Sequence, residues 1–277
     1  MANTNQIEQY LKNSPLGNHT LSLEKAELYP IPRNLHRKML NNEHASTFYG
    51  VDIWHAYELS WLNASGRPEA CIARFIIPSS SPNIIESKSF KLFLNTFNNQ
   101  VFEHSKALLI HLQETISQAI DSPIEIEFLS IDHMPPRRAL TGICLDDLKC
   151  DCQYYDPSPR LLKVQKNAPW VTESVRTHLF RSNCPVTYQP DWASIQIHYE
   201  GPALSHEALL QYLVSYRNHA QFHENCIETI FNDILSHTPT KHLYIAAQFT
   251  RRGGLDINPI RSTQSQKQWE TVLTGRQ

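Results

Sequence analysis

The sequence is poor in glycine, which limits the nucleotide-binding folds that it can form. Its 277 residues include 8 glycines, whereas average usage would give roughly 19. Neither G-x-G-x-x-G nor G-x-x-x-x-G-K-[ST] occurs anywhere in the chain. We therefore expect neither the ordinary dinucleotide-binding loop nor a P-loop.

The chain also lacks an excess of charge and any long apolar run. Its 25 basic and 27 acidic residues leave a formal charge of −2, so nothing draws it toward nucleic acid or an anionic membrane. No apolar run approaches the roughly 18 residues of a membrane span. The first residues have neither the basic nor the apolar region of a secretory signal. We expect a cytoplasmic protein that binds neither nucleic acid nor membrane.

Metal-site patterns are missing as well. Hydrophobic residues at 41% and charged residues at 19% indicate a folded globular chain. The fourteen histidines form no H-E-x-x-H, and Cys150 and Cys152 have the wrong spacing for a zinc knuckle. We predict no metal. Without a secretory signal, the scattered cysteines are expected to be reduced thiols: Cys71, Cys144, Cys150, Cys152, Cys184 and Cys226.

Hydrophobic periodicity predicts the secondary structure. Alternating apolar and polar residues indicate strands at 52–62, 69–77, 123–130, 161–166, 171–181, 192–199, 241–250 and 255–261. Helical spacing indicates helices at 86–97, 101–120, 206–217 and 224–235, with a short one near 7–11. The order strand, strand, helix, helix, strand therefore occurs twice.

An internal duplication accounts for this repeated order. A shift of 120 positions superposes the two helical regions and places Phe90 on Leu210 and Phe93 on Leu213. We predict an α+β fold of two tandem modules, each an antiparallel sheet with two helices on one face. The predicted modules are 1–135 and 160–277, joined by a linker at 136–159. Several such half-covered sheets could join edge to edge into a barrel, which would bury their free edges.

The most unusual local sequence lies between two predicted strands and contains both a thiol and a carboxylate. Pro185 follows Cys184, and Pro190 precedes Asp191, so the backbone of this connection is restricted. A single cysteine is more often a small buried hydrophobe than a nucleophile. Reactivity requires a thiolate, which needs a neighbouring base or cation. The sequence leaves open which residue serves: Arg181, Asp191 or His223.

Three further clusters have an ordinary structural interpretation, and two of them also have a functional one. Residues 86–91, ESKSFK, are typical of a capped helix start with Ser as the cap, but could also form an anion site. Phe222-His223-Glu224 is typical of an exposed helix start. Arg251-Arg252-Gly253-Gly254 resembles a hairpin turn, although two guanidinium groups beside a flexible backbone could also hold phosphate.

Taken together, these motifs resemble the NADPH-dependent 7-cyano-7-deazaguanine reductase family. This is the nitrile reductase family of queuosine biosynthesis, in its long two-module form, within the tunnelling-fold superfamily. The resemblance spans both halves and rests on GVDIW at 50–54 with YELSW at 57–61, ESKSFKL at 86–92, NCPVT at 183–187 with QPDW at 189–192, and FHE at 222–224 with RGGLD at 252–256.

The resemblance implies two tunnelling-fold modules, a homodimer and a role for each motif residue. Cys184 would add to the nitrile of 7-cyano-7-deazaguanine to form a thioimide, Asp191 would protonate the nitrogen, and His223 would assist. The implied substrate contacts are Glu86, Ser87, Lys88, His223 and Glu224. The implied contacts with NADPH are Lys88, Ser89, Arg252 and Gly253.

Other functions remain open from the residues alone. A thiol-dependent nitrile hydrolase could form the same adduct and then admit water. A cyclohydrolase of the same superfamily that uses zinc would need a His/Cys ligand set that the sequence does not supply. A non-catalytic deazapurine-binding module would bind without forming an adduct, and Cys184 would then be merely structural.

Overall fold

The computed structural model describes residues 26–40, 48–269 and 271–277, so the predicted helix near 7–11 lies outside the described residues. The strands are β1 (Pro30–Pro32), β2 (Tyr49–Leu62), β3 (Pro68–Pro78), β4 (Asn83–Ile85), β5 (Glu125–Leu129), β6 (Ile143–Cys144), β7 (Trp170–Asn183), β8 (Pro190–Pro202), β9 (His242–Phe249) and β10 (Leu255–Ser262). The α-helices are α1 (Asn34–Arg37), α2 (Ser87–Asn95), α3 (Ser105–Ile120), α4 (His206–Val214) and α5 (His223–His237). None of the described helices is long and apolar enough to cross a membrane.

The chain divides into two compact units. The first contains described residues 26–39, 53–135 and 251–256. The second contains the remaining described residues, including 136–250. β2 and β10 each contribute residues to both units.

In the first unit, β5, β3 and β2 are neighbours in that order, and β1 pairs with β4. β3 and β5 are antiparallel, with Ile72 opposite Leu129. α2 covers this sheet through Phe90, whose ring makes edge contacts with Trp54 of β2 at 5.1 Å and Phe75 of β3 at 5.0 Å between centroids. The apolar periodicity of α2 thus holds the start of the helix against the sheet.

In the second unit, the strand order is β10-β9-β8-β7-β6. β10 with β9, β9 with β8 and β8 with β7 are antiparallel pairs, whereas β6 and β7 are parallel. The buried side chains Ile195 and Ile197 of β8 belong to the core that also contains Ile230 and Ile234 of α5. Alternation then turns Ser194 and Gln196 toward the opposite face of the sheet.

The predicted α+β class is confirmed, and most predicted elements are present at nearly the predicted bounds. The strand predicted at 161–166 is wrong. Residues Pro159–Leu161 form a 3₁₀ turn, Leu162 is buried, and Val164 makes a single bridge with Leu204. The apolar residues of this segment therefore pack against the core as a loop. The helix predicted from 101 begins instead at Ser105, where the His104 side chain caps it.

The helix bounds also correct the register of the repeat. α2 and its 3₁₀ extension Thr96–Asn99 lie 119 residues before α4 and its 3₁₀ extension Ser215–Asn218. α3 begins 118 residues before α5. Phe90 therefore corresponds to Leu209, and Phe97 to Tyr216, all four being buried. The predicted shift of 120 was too large because the elements differ slightly in spacing.

Candidate active site

Cys184 lies at the start of the short connection between β7 and β8. β7 ends at Asn183 and β8 begins at Pro190. The connection is closed by two backbone hydrogen bonds, from Cys184 N–H to the Gln189 carbonyl at 2.9 Å and from Tyr188 N–H to the Cys184 carbonyl at 3.0 Å. Cys184 is half-buried. The loop therefore fixes the backbone of the cysteine and leaves its side chain partly accessible.

Asp191 lies on β8 just beyond this loop, opposite Ser182 of β7. Asp191 is 3% exposed. One of its carboxylate oxygens, Oδ2, lies 3.5 Å from Nε2 of His223, the first residue of α5. Nε2 of His223 is buried and makes no hydrogen bond to any described residue. The ring of His223 packs on Phe249 at 4.0 Å between centroids.

The region behind Asp191 contains a second thiol. Burial raises the pKa of Cys226 well above its usual value, and the nearby carboxylates of Asp191 and Glu224 raise it further, while the Ser182 hydroxyl lowers it. Cys226 and Ser182 are both fully buried. Because a buried protonated thiol is a poor nucleophile, Cys226 is not a rival to Cys184.

Glu86 is the N-cap of α2 in the first unit. Its Oε1 accepts a hydrogen bond from Lys88 N–H at 2.8 Å and its Oε2 accepts one from Ser89 N–H at 2.7 Å. The sequence predicted Ser as the cap of this helix, and that detail was wrong. Burial raises the pKa of Glu86, against the opposing effect of these two N–H groups. Each carboxylate oxygen keeps further acceptor capacity.

The residues that follow Glu86 differ in accessibility. Ser87 is half-buried and Lys88 is exposed. The Ser89 hydroxyl is buried, donates to the Glu86 carbonyl at 2.7 Å and accepts from Tyr29 N–H at 3.0 Å. Ser89 thus holds the helix start in place, and this engagement argues against its predicted contact with a cofactor.

The Arg252–Gly253 turn lies beside α2 in the same unit. Gly253 has φ of 57°, and a Cβ there would come within 2.6 Å of Nζ of Lys91. Lys91 is one helical turn after Lys88, so the two ammonium groups share a face of α2. Lys91 belongs to the predicted anion-binding cluster 86–91 but was not among the implied NADPH contacts, although its spacing from Lys88 was a usable signal.

A buried polar network supports the same turn. Asp256 accepts from the Tyr57 hydroxyl at 2.5 Å and lies 2.8 Å from Nδ1 of His55. The Arg251 guanidinium stacks over the Tyr57 ring at 4.4 Å. Sequence reasoning gave Arg251 a possible phosphate contact but assigned no site role to His55, Tyr57 or Asp256. His55 and Tyr57 alternate onto one face of β2, but their partner is about two hundred residues away, and no local pattern indicates it.

The structure thus assembles two groups of candidate residues, one in each unit. Cys184, Asp191, His223 and Glu224 lie in the second unit, whereas Glu86, Ser87, Lys88, Ser89, Arg252 and Gly253 lie in the first. In the part of the chain that the structure describes, no cluster of three or more His, Cys, Asp or Glu side chains could hold a metal ion. The candidate residues of the second unit include a thiol, a carboxylate and an imidazole. These side chains can support nucleophilic addition with proton transfer.

Comparison with known proteins agrees with this chemistry. Residues 20–128 match the family model described as "Nitrile reductase, 7-cyano-7-deazaguanine-reductase N-term", and residues 190–268 match the "QueF-like protein" model. The curated NADPH-dependent 7-cyano-7-deazaguanine reductase of Burkholderia ambifaria is 44% identical over 271 residues, which cover 96% of this chain and 99% of the relative. The chain belongs to the 7-cyano-7-deazaguanine reductase family. The resemblance inferred from its motifs is confirmed.

A second member of the 7-cyano-7-deazaguanine reductase family shows similar agreement. The curated reductase of the same name from Coxiella burnetii is 48% identical over 239 residues, which cover 85% of each chain. Among solved structures, the archaeosine synthase QueF-Like in the apo form aligns with 36% of this chain and all of its own, with a TM-score of 0.30 and 17% identity.

Proposed function

We propose that this protein reduces the nitrile of 7-cyano-7-deazaguanine to the primary amine of 7-aminomethyl-7-deazaguanine, using NADPH, as a step in tRNA queuosine biosynthesis. The observation that carries this proposal is the 44% identity to curated reductases of that name over nearly the whole length of both chains. The Cys184 loop, with Asp191 and His223 beside it, supplies the side chains that such a reaction needs.

In the proposed mechanism Cys184 is the nucleophile. Its sulfur forms a bond to the nitrile carbon, one π bond of the nitrile breaks, and the electron pair moves to nitrogen, which takes a proton. The product is a covalent thioimide. Asp191 is the proposed acid for this proton because it is buried next to the cysteine loop. His223 is proposed to pass protons to Asp191 across the 3.5 Å that separates them.

The substrate base is proposed to bind through carboxylates. A deazaguanine amidine edge presents two N–H donors, which suit the acceptor pair of one carboxylate. We propose Glu86 and Glu224 for this role, with Ser87, Lys88 and His223 beside the base. Glu86 and Glu224 are both at least nine-tenths buried, and a carboxylate away from water holds such donors more strongly.

Of the residues expected to contact NADPH, Lys88, Arg252 and Gly253 suit a phosphate-bearing cofactor, whereas Ser89 does not. NADPH supplies hydride when bound, and a nitrile requires two hydrides to become a primary amine. Lys88 is exposed, and the absence of a side chain at the left-handed Gly253 allows Lys91 to approach the turn. We propose that Lys88, Arg252 and Gly253 hold the cofactor, with Lys91 as an added cation. Ser89, whose hydroxyl is already engaged, is left out.

We also propose a cytoplasmic homodimer built from modules at 1–135 and 160–277, with a connection at 136–159. A sheet edge left open in one chain could be covered by a second copy. Light scattering should then give a mass of about 64 kDa, twice that of the 32.0 kDa chain. A mass near 32 kDa would contradict the dimer without touching the proposed reaction.

The reaction is tested by mixing the protein with 7-cyano-7-deazaguanine and measuring intact mass, then adding NADPH. We expect an adduct at Cys184, absent in Cys184→Ala, and two NADPH oxidised per amine formed. An adduct that only water resolves would indicate a nitrile hydrolase instead. Tight binding without an adduct or NADPH oxidation, in folded protein with reduced Cys184, would leave a binding module.

A further inference from the structure

The second unit contains a cavity of about 600 Å³ that none of the proposed catalytic residues lines. This volume is within the range of small-molecule sites. The cavity is bounded by the segment after residue 136, by β7 and β8, and by the C-terminal segment. Its lining residues are Arg137, Arg138, Ala139, His178, Ser194, Thr274, Gly275 and Arg276.

The hydrogen-bond partners of His178 indicate which tautomer its neutral ring adopts. Nη1 of Arg176 lies 3.1 Å from Nε2 of His178. A guanidinium can only donate, so Nε2 must accept and carries no proton. Nδ1 therefore carries the proton of the neutral ring and donates it to Oγ of Ser194 at 2.8 Å.

Ser194 is consequently oriented as a donor. Its Oγ accepts from Nδ1 of His178 and lies 3.2 Å from Nη2 of Arg276, whose two N–H groups have shorter bonds to carbonyls. Ser194 is 1% exposed, and its hydroxyl proton has no acceptor among the described residues. A buried hydroxyl whose proton lacks an acceptor is costly unless a ligand supplies one.

The arginines around the cavity are also donors, and two of them are held in place. Nη2 of Arg276 donates to the His178 carbonyl at 2.7 Å and the Ala193 carbonyl at 3.1 Å. Nε of Arg137 donates to a main-chain oxygen of Gln277, the last residue, at 3.0 Å, so Arg137 already has an acceptor. Arg138 is exposed, while its backbone N–H is bonded to the Leu273 carbonyl.

Among the described residues, no Asp or Glu side chain lines this cavity. The nearby Asp146 already accepts from the Thr177 hydroxyl at 2.6 Å and from His178 N–H at 3.0 Å. Beyond the bonds that hold Arg276 in place, the side chains of Arg138, Arg276 and Ser194 therefore present donors and positive charge to the cavity. These donors suit a ligand group whose oxygens can only accept hydrogen bonds. Phosphate is such a group, and its oxygens match the geometry of guanidinium groups.

We propose that this cavity binds a phosphate group. It is separate from the proposed catalytic side chains, because Ser194 is three residues after Asp191 on β8 and alternation directs the two to opposite faces of the sheet. The phosphate could be free in solution or could belong to the NADPH molecule, whose adenosine ribose carries one. The proposal does not rest on the reductase activity.

Isothermal titration of the full chain with inorganic phosphate and with pyrophosphate, in chloride of matched ionic strength, tests the site. We expect saturable binding that weakens about tenfold or more in Arg138→Gln and in Ser194→Ala. The matched control is Arg160→Gln, an exposed arginine outside the cavity, which should bind like the wild type. Thermal melts check that Ser194→Ala is folded. If that variant does not fold, Arg138→Gln, which changes an exposed side chain, still tests the site.

Competition identifies the source of the phosphate. Displacement of bound phosphate by NADP⁺ but not by NAD⁺ would assign the site to the extra phosphate of the cofactor. Phosphate binding that NADP⁺ leaves unchanged would assign it to a free anion. Absence of saturable binding to the wild type, or equal weakening in Arg138→Gln and Arg160→Gln, would overturn the proposal. Each result is independent of whether Cys184 forms an adduct.

Discussion

Tyr188 lies in the loop between Cys184 and Asp191 and has a left-handed backbone, with φ of 56°. A bulky residue is rare in this region because its Cβ crowds the following carbonyl. The side chain is 71% exposed, so its packing contributes little that could offset the backbone strain. The loop hydrogen bonds on either side of it hold the conformation.

We predict that Tyr188→Gly makes the protein more stable. Relief of the left-handed backbone contributes roughly 1–2 kcal/mol, and the greater freedom of glycine in the unfolded chain removes about 0.5–1 kcal/mol. Urea denaturation should show a net gain of about 0.5–1 kcal/mol. Tyr154→Gly, at another exposed tyrosine outside the positive-φ group, should show no gain. Equal effects of the two changes would contradict the strain argument.

Cys71 gives the chain a specific sensitivity to alkali. Burial raises its pKa from 9.0 to about 12. Between these values the unfolded chain has released the thiol proton while the folded chain has kept it, so the unfolded state binds fewer protons. The contribution to stability is therefore complete below about pH 9 and is lost as the pH rises toward about 12.

We predict that Cys71→Ala reduces the loss of unfolding free energy between pH 9 and 11, by up to about 1.4 kcal/mol per pH unit. The comparison is made between slopes, because the smaller side chain also lowers stability at neutral pH. Ile72→Val, a neighbouring buried change without a titratable group, should leave the slope as in the wild type. A Cys71→Ala slope equal to that of the wild type would show that this thiol does not titrate as its burial requires.

At the scale of the element, the start of α2 depends on one side chain. Glu86 accepts from two backbone N–H groups, at 2.8 and 2.7 Å. We predict that Glu86→Ala lowers the free energy of unfolding by about 1–2 kcal/mol, and that Glu86→Gln, which keeps one acceptor oxygen, costs less. Denaturation without substrate separates this role from substrate binding. The capping role is refuted if Glu86→Ala costs no more than Glu86→Gln.

The long elements were predictable because each has a complete local pattern. β2 and β8 are 14 and 13 residues long, enough for apolar and polar residue types to alternate over much of each strand. α3 repeats buried Leu108, Leu112 and Ile116 at helical spacing. β1, β4 and β6 have three residues or fewer, too few to show a period. The error at 161–166 has a related cause: its apolar residues cover the core from a loop, and burial without pairing resembles a strand in sequence.

At the scale of the molecule, the candidate site could be predicted only where its parts are close in sequence. Cys184 and Asp191 occupy one hairpin, and Glu86 to Lys88 one helix start, so motifs indicated both groups. The approach of Lys91 to Gly253 and the bond from His55 to Asp256 join residues far apart in the chain. Such pairs are set by strand register and helix packing, which a single sequence does not state.

Arg261 shows how much of the stability depends on such distant partners. It is fully buried in the second unit and lies 2.8 Å from Asp52 and 2.8 Å from Glu228. The two carboxylates raise its pKa beyond the usual value, although burial alone would lower it. Removing the guanidinium would leave two buried carboxylates without this cation to offset their charge, whereas removing all three charges together would not.

We therefore predict that Arg261→Met lowers the free energy of unfolding by about 3–5 kcal/mol, measured by urea denaturation. Adding Asp52→Asn and Glu228→Gln to that variant should recover part of the loss, because the two negative charges that Arg261 offset are then removed as well. Arg67→Met removes an exposed guanidinium 3.5 Å from Glu69 and should cost less than about 1 kcal/mol. If Arg261→Met is no worse than Arg67→Met, or if the triple variant is less stable than the single one, the penalty does not come from the buried negative charge that Arg261 offsets.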